Sequence, residues 1–251
     1  MKIIKNLKIY KPIRQWRISQ TVSQWTDGDN VKLNFYKPFI ETGSVVFDVG
    51  ANIGKRTKVF LKLGARVVAI EPQKECAQIL HLAFRNKIIL VQKGLAEKEG
   101  IGEIRLDQST TLSSMSDEWI EAVKTSGRFK DHDWAGKQQI ETTTLDNLIQ
   151  SYGLPSFIKI DVEGYEYQVL KGLTRRVNAI SIENTPERFE SARDCIEYLA
   201  TLGEIELNYS FGETMQWAFP HWMQKNEMIF FLKQIREQKD EGMGDVYIKF
   251  I

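Results

Sequence analysis

The stretch Ser44–Gly54, SVVFDVGANIG, constrains what this chain can fold into more than any other. An apolar run ends in Asp48-Val49-Gly50 and passes into Ala51-Asn52-Ile53-Gly54, and helical spacing takes over at Lys55–Leu63. Apolar continuity of that kind reads as a strand covered on both faces, which belongs to a parallel sheet. Glycines at its exit let the backbone turn tightly and bring main-chain N–H groups against a ligand. Arg66–Glu71 is a second β-branched strand, Glu75–Phe84 a second helix and Lys87–Gln92 a third strand. That order is half of an open parallel α/β sheet.

Further along, the β rhythm is broken and then resumes. Between Gly94 and Leu154 the pattern is mixed: a short strand at Gly102–Leu106, a hydroxyl-rich run at Ser109–Ser116, helical spacing over Trp119–His132, an edge strand at Gln138–Thr143 and a short helix at Leu145–Tyr152. Phe157–Val162 is again a strand, Tyr165–Leu173 a helix, Ala179–Glu183 a strand and Arg188–Leu202 a long helix. Ile205–Phe211 and Met228–Leu232 read as two late strands able to pair antiparallel. Three parts follow: a basic segment with cap helices over 1–43, a domain over 44–235 whose insertion 94–154 faces a substrate, and a charged tail, 236–251, read as a surface appendage.

Composition removes several classes. Of 251 residues, 42% are hydrophobic and 27% charged, the balance of an ordinary globular protein. Lys+Arg 34 against Asp+Glu 33 gives +1, without the basic excess of a general nucleic-acid binder. Cys76 and Cys195 lie far apart with no metal spacing and read as reduced thiols. No apolar run is long enough to span a bilayer or serve as a signal core, so a cytoplasmic location is expected. In the first twenty residues Lys2, Lys5, Lys8, Lys11, Arg14 and Arg17 recur every third position beside an apolar stripe of Ile3, Ile4, Leu7 and Tyr10. Such a segment is most often a solvated cap helix on the domain; the sharper alternative is peripheral contact with a membrane surface or a polyanion.

The chemistry starts with Glu71. It ends the second strand about 20 residues beyond the glycine turn, where an acid accepts hydrogen bonds from both hydroxyls of an adenosine ribose. The turn is G-x-x-x-G rather than the pyrophosphate-cradling G-x-G-x-x-G, and Asp48 precedes it. A carboxylate there repels a diphosphate and attracts the cationic amino-acid end of S-adenosylmethionine.

A second constellation, Lys159-Ile160-Asp161-Val162-Glu163-Gly164, closes the fourth main strand and is followed by YEYQVLKG. Together with VFDVGANIG (Val46–Gly54), the Glu71-Pro72 pair, Leu95-Ala96-Glu97-Lys98-Glu99-Gly100 and Thr142-Thr143-Thr144-Leu145-Asp146, it resembles the FkbM family of S-adenosylmethionine-dependent methyltransferases over about Ser44 to Glu183. The resemblance implies a three-layer Rossmann-like α/β sandwich, with a seven-stranded, mostly parallel sheet whose last strand is antiparallel. It implies O-methylation of a hydroxyl on a sugar, polysaccharide, glycolipid or natural product. Carried over by position, Asp48, Gly50, Asn52 and Gly54 lie at the methionine and sugar side of the cofactor. Glu71 holds the ribose, Pro72, Leu95 and Ala96 approach the adenine, and Asp161 faces the methionine moiety or the acceptor. Lys55-Arg56 departs from relatives, which often carry aromatic or small residues there. Two solvated helix residues explain the pair; an anionic acceptor is the alternative.

Attack by a sugar hydroxyl benefits from a base. The strand ends offer Asp161, Glu163 and Glu183, with Asn184 to position; the insertion offers His132 with Asp133 as its orienting acid. Trp217, in FGETMQWAFPHWM, could cover a sugar face or belong to a satellite core. No cluster of His, Asp and Glu has metal spacing along the sequence. Two other classes compete. Tyr167-x-x-x-Lys171 has the spacing used by short-chain NAD-dependent dehydrogenases, but lies one helix beyond IDVEG and lacks the phosphate-binding glycines. A non-catalytic nucleoside-binding module would not need Asp48, Gly50, Glu71 and Asp161 together.

Overall fold

The computed structural model describes residues 10–107, 112–127, 129, 132–236 and 242–251. The main sheet has seven strands in the order β3 (Ile89–Val91), β2 (Arg66–Ile70), β1 (Val45–Val49), β7 (Phe157–Ile160), β8 (Ala179–Asn184), β10 (Gly244–Phe250) and β9 (Ile205–Phe211). All pairings are parallel except those of β10, which runs antiparallel to both β8 and β9. The sheet is the one the sequence leads one to expect, and β1 sits where the strand order reverses. Open α/β sheets bind ligands outside the carboxyl ends of the strands at such a point.

Alternation along the strands decides what each face buries. Phe47 and Val49 of β1, Ile158 and Ile160 of β7 and Ile180 and Ile182 of β8 face a core closed by α6 (Leu145–Tyr152), α7 (Glu166–Leu170), α8 (Phe189–Leu202) and α9 (Lys225–Ile235). Val46, Phe157 and Tyr247 face the other way, onto Phe35 and Tyr36 of α2 (Asp27–Tyr36) and Val59 and Phe60 of α3 (Thr57–Lys62). Asp48 and Lys159 are register partners on adjacent strands and share this second face, two residues beyond the apolar Val46 and Phe157. Period-two patterning thus carries two charged groups to the C-terminal rim.

The described part of the basic segment forms α1 (Tyr10–Ser23), which packs on α4 (Lys74–Phe84), with Val22 in a small core beside Leu80 and Phe84. Arg14 and Lys11 both reach Glu75 on α4, at 2.9 and 3.2 Å. Residues 1–9, which carry the first three lysines, lie outside the described residues. The insertion builds a second sheet, β4 (Gly94–Leu95), β6 (Gly136–Thr143) and β5 (Gly100–Leu106) in that order, with α5 (Asp117–Ser126) beside it. Gln138–Thr143 is therefore a central strand of this small sheet rather than an edge, and the helix expected to reach His132 stops at Ser126 before the left-handed Gly127.

Two expectations at the C-terminal end are corrected. Met228–Leu232 is not a strand but lies within α9, where Met228, Leu232 and Ile235 recur at helical spacing and are buried while Phe230 points outward. The tail is not an appendage: β10 occupies the slot between β8 and β9, with Val246, Tyr247 and Ile248 fully buried. Its flanks mask it in the sequence, because Asp245 and Lys249 make a seven-residue strand read as charged.

Candidate active site

A cleft of about 230 Å³ opens over the ends of β1, β2 and β7. Asp48, Gly50, Asn52, Glu71, Pro72, Leu95, Asp161 and Glu163, all singled out from the sequence, line it. The glycine turn is fixed by close approach. Gly50 has φ +76, and a Cβ there would meet the Asp161 carbonyl oxygen at 1.8 Å. The β1 and β7 loops can therefore touch only through a residue without a side chain. Opposite, Gly164 (φ +86) lies against the Trp119 ring, where a Cβ would meet its atoms at 2.4 Å. Ser114 donates to the Glu163 carbonyl at 2.6 Å, so the insertion is clamped onto the IDVEG turn. Through Ile104, Ser113 and Met115 it forms a wall of the cleft.

Glu71 is buried and precisely held. The main-chain N–H groups of Asn52 and Gln73 each donate to one of its carboxylate oxygens at 2.8 Å. Burial raises its pKa to about 7, against the lowering effect of those two donors. Asp48 is likewise raised, to about 6, by burial, although Thr57 donates to it and Lys159 is close. A sugar diol or a cationic ligand would supply the donors and charge that these sites lack in the free protein.

Sequence reasoning passed over Lys159. Its side chain is 2% exposed, yet its ammonium lies 3.0 Å from Asp245 of β10 and 3.3 Å from Asp161 and lines the cleft. Burial works against the charge, but Asp161 and Asp245 hold the pKa well above the ordinary lysine value. Asp161, Glu163 and Glu183 bring carboxylate oxygens within 4.8 Å of one another, the one trio among the described residues with metal-ligand geometry. Burial, then the charge of its neighbours, pushes Glu163 and Glu183 well above the usual carboxylate range. Protons and Lys159 between them offset the crowding of negative charge.

Other candidates fall elsewhere. Gly54 packs against Phe84 and Leu80, and its role is the turn. Ala96 pairs through its N–H with Thr143. Neither lines the cleft, and Glu183 reaches the site only through the trio. His132 also lies off the cleft wall; its orienting acid is Asp107, at 3.1 Å, not Asp133. Trp217 is no acceptor wall: it belongs to an aromatic cluster with Phe35 (ring centroids 4.3 Å apart), Trp222 and Tyr247. Its loop nevertheless sends Glu213 to the cleft. Tyr167 packs on Tyr198 and Lys171 pairs with Glu97, so the dehydrogenase-like pair is not at the cleft.

A switch-point cleft with a ribose-ready glutamate, an aspartate before the glycine turn and no diphosphate cradle defines a methyltransferase of the Rossmann-like class. The chain belongs to the FkbM methyltransferase family: residues 48–225 match the Methyltransferase FkbM domain. It is similar to the hexuronic acid methyltransferase AglP of Haloferax volcanii, 28% identical over 146 residues, which are 56% of this chain and 54% of the relative. The chain thus spans about half the length of that curated relative. Among solved structures it is similar to the O-methyltransferase from Bacillus cereus in complex with SAH, at 13% identity and TM-score 0.45, covering 95% of this chain and 91% of the other. It is also similar to precorrin-6y C5,15-methyltransferase from Geobacter metallireducens, at 10% identity and TM-score 0.46, covering 88% and 86%.

The methyl donor of such a domain is S-adenosylmethionine, and the residues present fit it. Glu71 offers carboxylate lone pairs to a ribose, Pro72 and Leu95 offer apolar surface to a purine, and Asp48 and Asp161 offer charge to a cationic amino-acid end. Glu71→Ala is expected to weaken S-adenosylhomocysteine binding by about 1.5–3 kcal/mol, as loss of charged hydrogen bonds does. Calorimetric titration of the purified variant measures it, and an unchanged affinity would reduce Glu71 to a turn-forming acid.

The raised carboxyls also set a pH dependence. Asp48 (about 6), Glu71 (about 7) and Glu166 (about 7, by burial against three main-chain donors) stay protonated in the fold to higher pH than in the unfolded chain. Their contribution to stability is present below the unfolded carboxyl pKa and lost as pH rises toward 7. The thermal midpoint of the ligand-free protein should therefore fall between about pH 5 and 7. Glu166→Gln, which keeps an acceptor for the Val162 and Gly164 N–H groups, should flatten that slope. A midpoint that rises through this window would contradict the assignment.

Proposed function

We propose that the protein transfers a methyl group from S-adenosylmethionine to a hydroxyl of a sugar, carried on a glycan, glycolipid, polysaccharide or glycosylated natural product. The observation that carries the reading is Asp161. It follows β7 at the switch point, lines the cofactor cleft with its side chain 39% exposed, and has a lysine ammonium 3.3 Å away. The similarity to a hexuronic acid methyltransferase supports a sugar as acceptor.

The bound cofactor supplies an electrophilic methyl carbon. A sugar hydroxyl is a weak nucleophile, and rate comes from aligning its oxygen and from a base that takes its proton. Asp161 is the exposed carboxylate suited to both tasks: one oxygen faces Lys159 and the other is left for the hydroxyl. Glu163 and Glu183, pushed toward their protonated forms by burial and neighbouring charge, do not compete as bases. The insertion wall limits water and shapes the acceptor side.

The test is incubation of the protein with S-adenosylmethionine and a panel of neutral and acidic glycosides, followed by mass spectrometry and mild alkaline treatment. The expected product carries one added methyl that survives alkali, as an ether does. A methyl lost in alkali would place it on a carboxylate and overturn the hydroxyl as nucleophile.

A further inference from the structure

We propose that the cationic rim of the cleft is a carboxylate subsite for an acidic acceptor sugar, filled in the free protein by the chain's own Glu213. The inference rests on the sugar-acceptor reading and deepens it to a uronate-type ligand.

Arg56 and Lys55 both line the cleft directly after the glycine turn. The Arg56 side chain is only 12% exposed, and it donates through Nη2 to Glu213 at 2.6 Å. Lys32 reaches the other Glu213 oxygen at 3.4 Å. Lys55 is exposed on the same rim and has no acidic partner among the described residues. Arg56 Nε is buried with no hydrogen-bond partner among the described residues. Two cations therefore hold one carboxylate, a third on the same rim has no acid among the described residues, and an arginine donor is left over. By contrast the floor of the cleft is acidic, with Asp48, Glu71, Asp161 and Glu163 answered by Lys159. The site separates its charges: acids below for a cationic donor molecule, cations at the rim for an anion.

Glu213 shows what the rim holds, because a glutamate side chain is itself a carboxylate ligand. It is the most exposed member of the set: its side chain is 69% exposed and sits in a turn just past β9, after Gly212. Against the cost of burial, Arg56 and Lys32 draw its pKa down to about 2, so it stays ionised on the rim at any working pH. An acceptor carboxylate could take the Arg56 fork that Glu213 now uses, with Lys55 as a second charge. Planar guanidinium recognises carboxylates directionally, which would also turn the sugar so that one hydroxyl faces Asp161.

The same chemistry could serve the carboxylate of the cofactor's own amino-acid end, and the experiment separates the two. In the first arm, S-adenosylhomocysteine is titrated into the wild type, Lys55→Gln and Glu213→Gln; its affinity should be unchanged. In the second, the protein saturated with S-adenosylhomocysteine is titrated with methyl glucuronoside and methyl glucoside. The acidic sugar should bind at least about tenfold tighter than the neutral one. Lys55→Gln should weaken the acidic sugar alone by about threefold. Glu213→Gln should tighten it, because the internal competitor is gone; a mere strut between Arg56 and the loop predicts the opposite sign. Equal binding of the two sugars, or a weaker acidic sugar in Glu213→Gln, overturns the subsite while leaving the sugar-acceptor reading in place. An effect confined to S-adenosylhomocysteine assigns the rim to the cofactor and overturns it too. Binding of neither sugar overturns both readings together.

Discussion

Lys159→Met is expected to cost the folded protein about 3–5 kcal/mol, a large part of the stability of a domain this size. The lysine is buried in the middle strand of the switch point, and its removal leaves Asp245, also buried, without its ammonium partner. Among the described residues, Asp245 would then keep the Tyr247 hydroxyl, at 3.3 Å, as its side-chain donor. Breaking a buried pair by removing one member strands a charge, whereas removing both can be close to neutral. The double variant Lys159→Met/Asp245→Asn should therefore recover much of the loss, and denaturant unfolding of the four proteins of the cycle measures the coupling. If the two single losses simply add, Lys159 and Asp245 are not the coupled pair described here. Asp161, at 39% exposure, keeps access to water in the variant, so the stability loss reads the Asp245 side and the activity loss reads the Asp161 side.

That pair also marks the limit of what the sequence made legible. The first half of the sheet was readable because each strand, turn and helix there is local: β1, the glycine turn, β2 and Glu71 follow one another within thirty residues, and each has its own periodicity. Lys159 was visible as a lone cation in the apolar run FIKI, which on a strand covered by both layers calls for a buried acid. Its partner lies 86 residues away, in a segment whose charges made it read as a tail. Strand pairing of β10 between β8 and β9 is a tertiary fact, and no local pattern announces it. For the same reason Met228–Leu232 was misread: Phe230 and Phe231 favour a strand locally, while the burial of every third and fourth residue, set by packing on β9, makes a helix.

The site divides along the same line. Asp48, Gly50, Glu71 and Asp161 were found because their spacing along βαβ units fixes them at one end of the sheet. Arg56 was noticed as a departure, but its burial and its Glu213 partner depend on a loop 157 residues on. His132 and Trp217 were chosen for chemistry alone. Both sit in insertion or loop segments whose path the residues do not dictate, and both turn out to be packed among aromatic rings. The residues at strand ends, Asp48, Glu71, Asp161 and Glu163, reach the cleft; the histidine and tryptophan of the insertion and loop do not.

Asp161→Asn is expected to lower kcat by about 10²–10³-fold, the range over which a positioned base acts. The substitution keeps size and shape, and an asparagine amide oxygen can still face Lys159. What it removes is the negative charge and the ability to take a proton from the acceptor. The fall should appear in kcat and in kcat/KM alike, with KM for the acceptor little changed, because the missing interaction is made as the hydroxyl oxygen attacks. Two controls separate this from a damaged site. S-adenosylhomocysteine affinity should change less than in Glu71→Ala, since the ribose contact is intact, and the thermal midpoint should stay near that of the wild type. Burial still raises Glu163 and Glu183 once the Asp161 charge is gone, so they replace the lost base only in part near neutral pH. Raising the pH should then restore part of the activity of Asp161→Asn as a trio member ionises, an effect with no counterpart in Glu71→Ala. Full turnover in Asp161→Asn at neutral pH would remove the aspartate from the chemistry and leave the alignment of acceptor and methyl carbon as the source of rate.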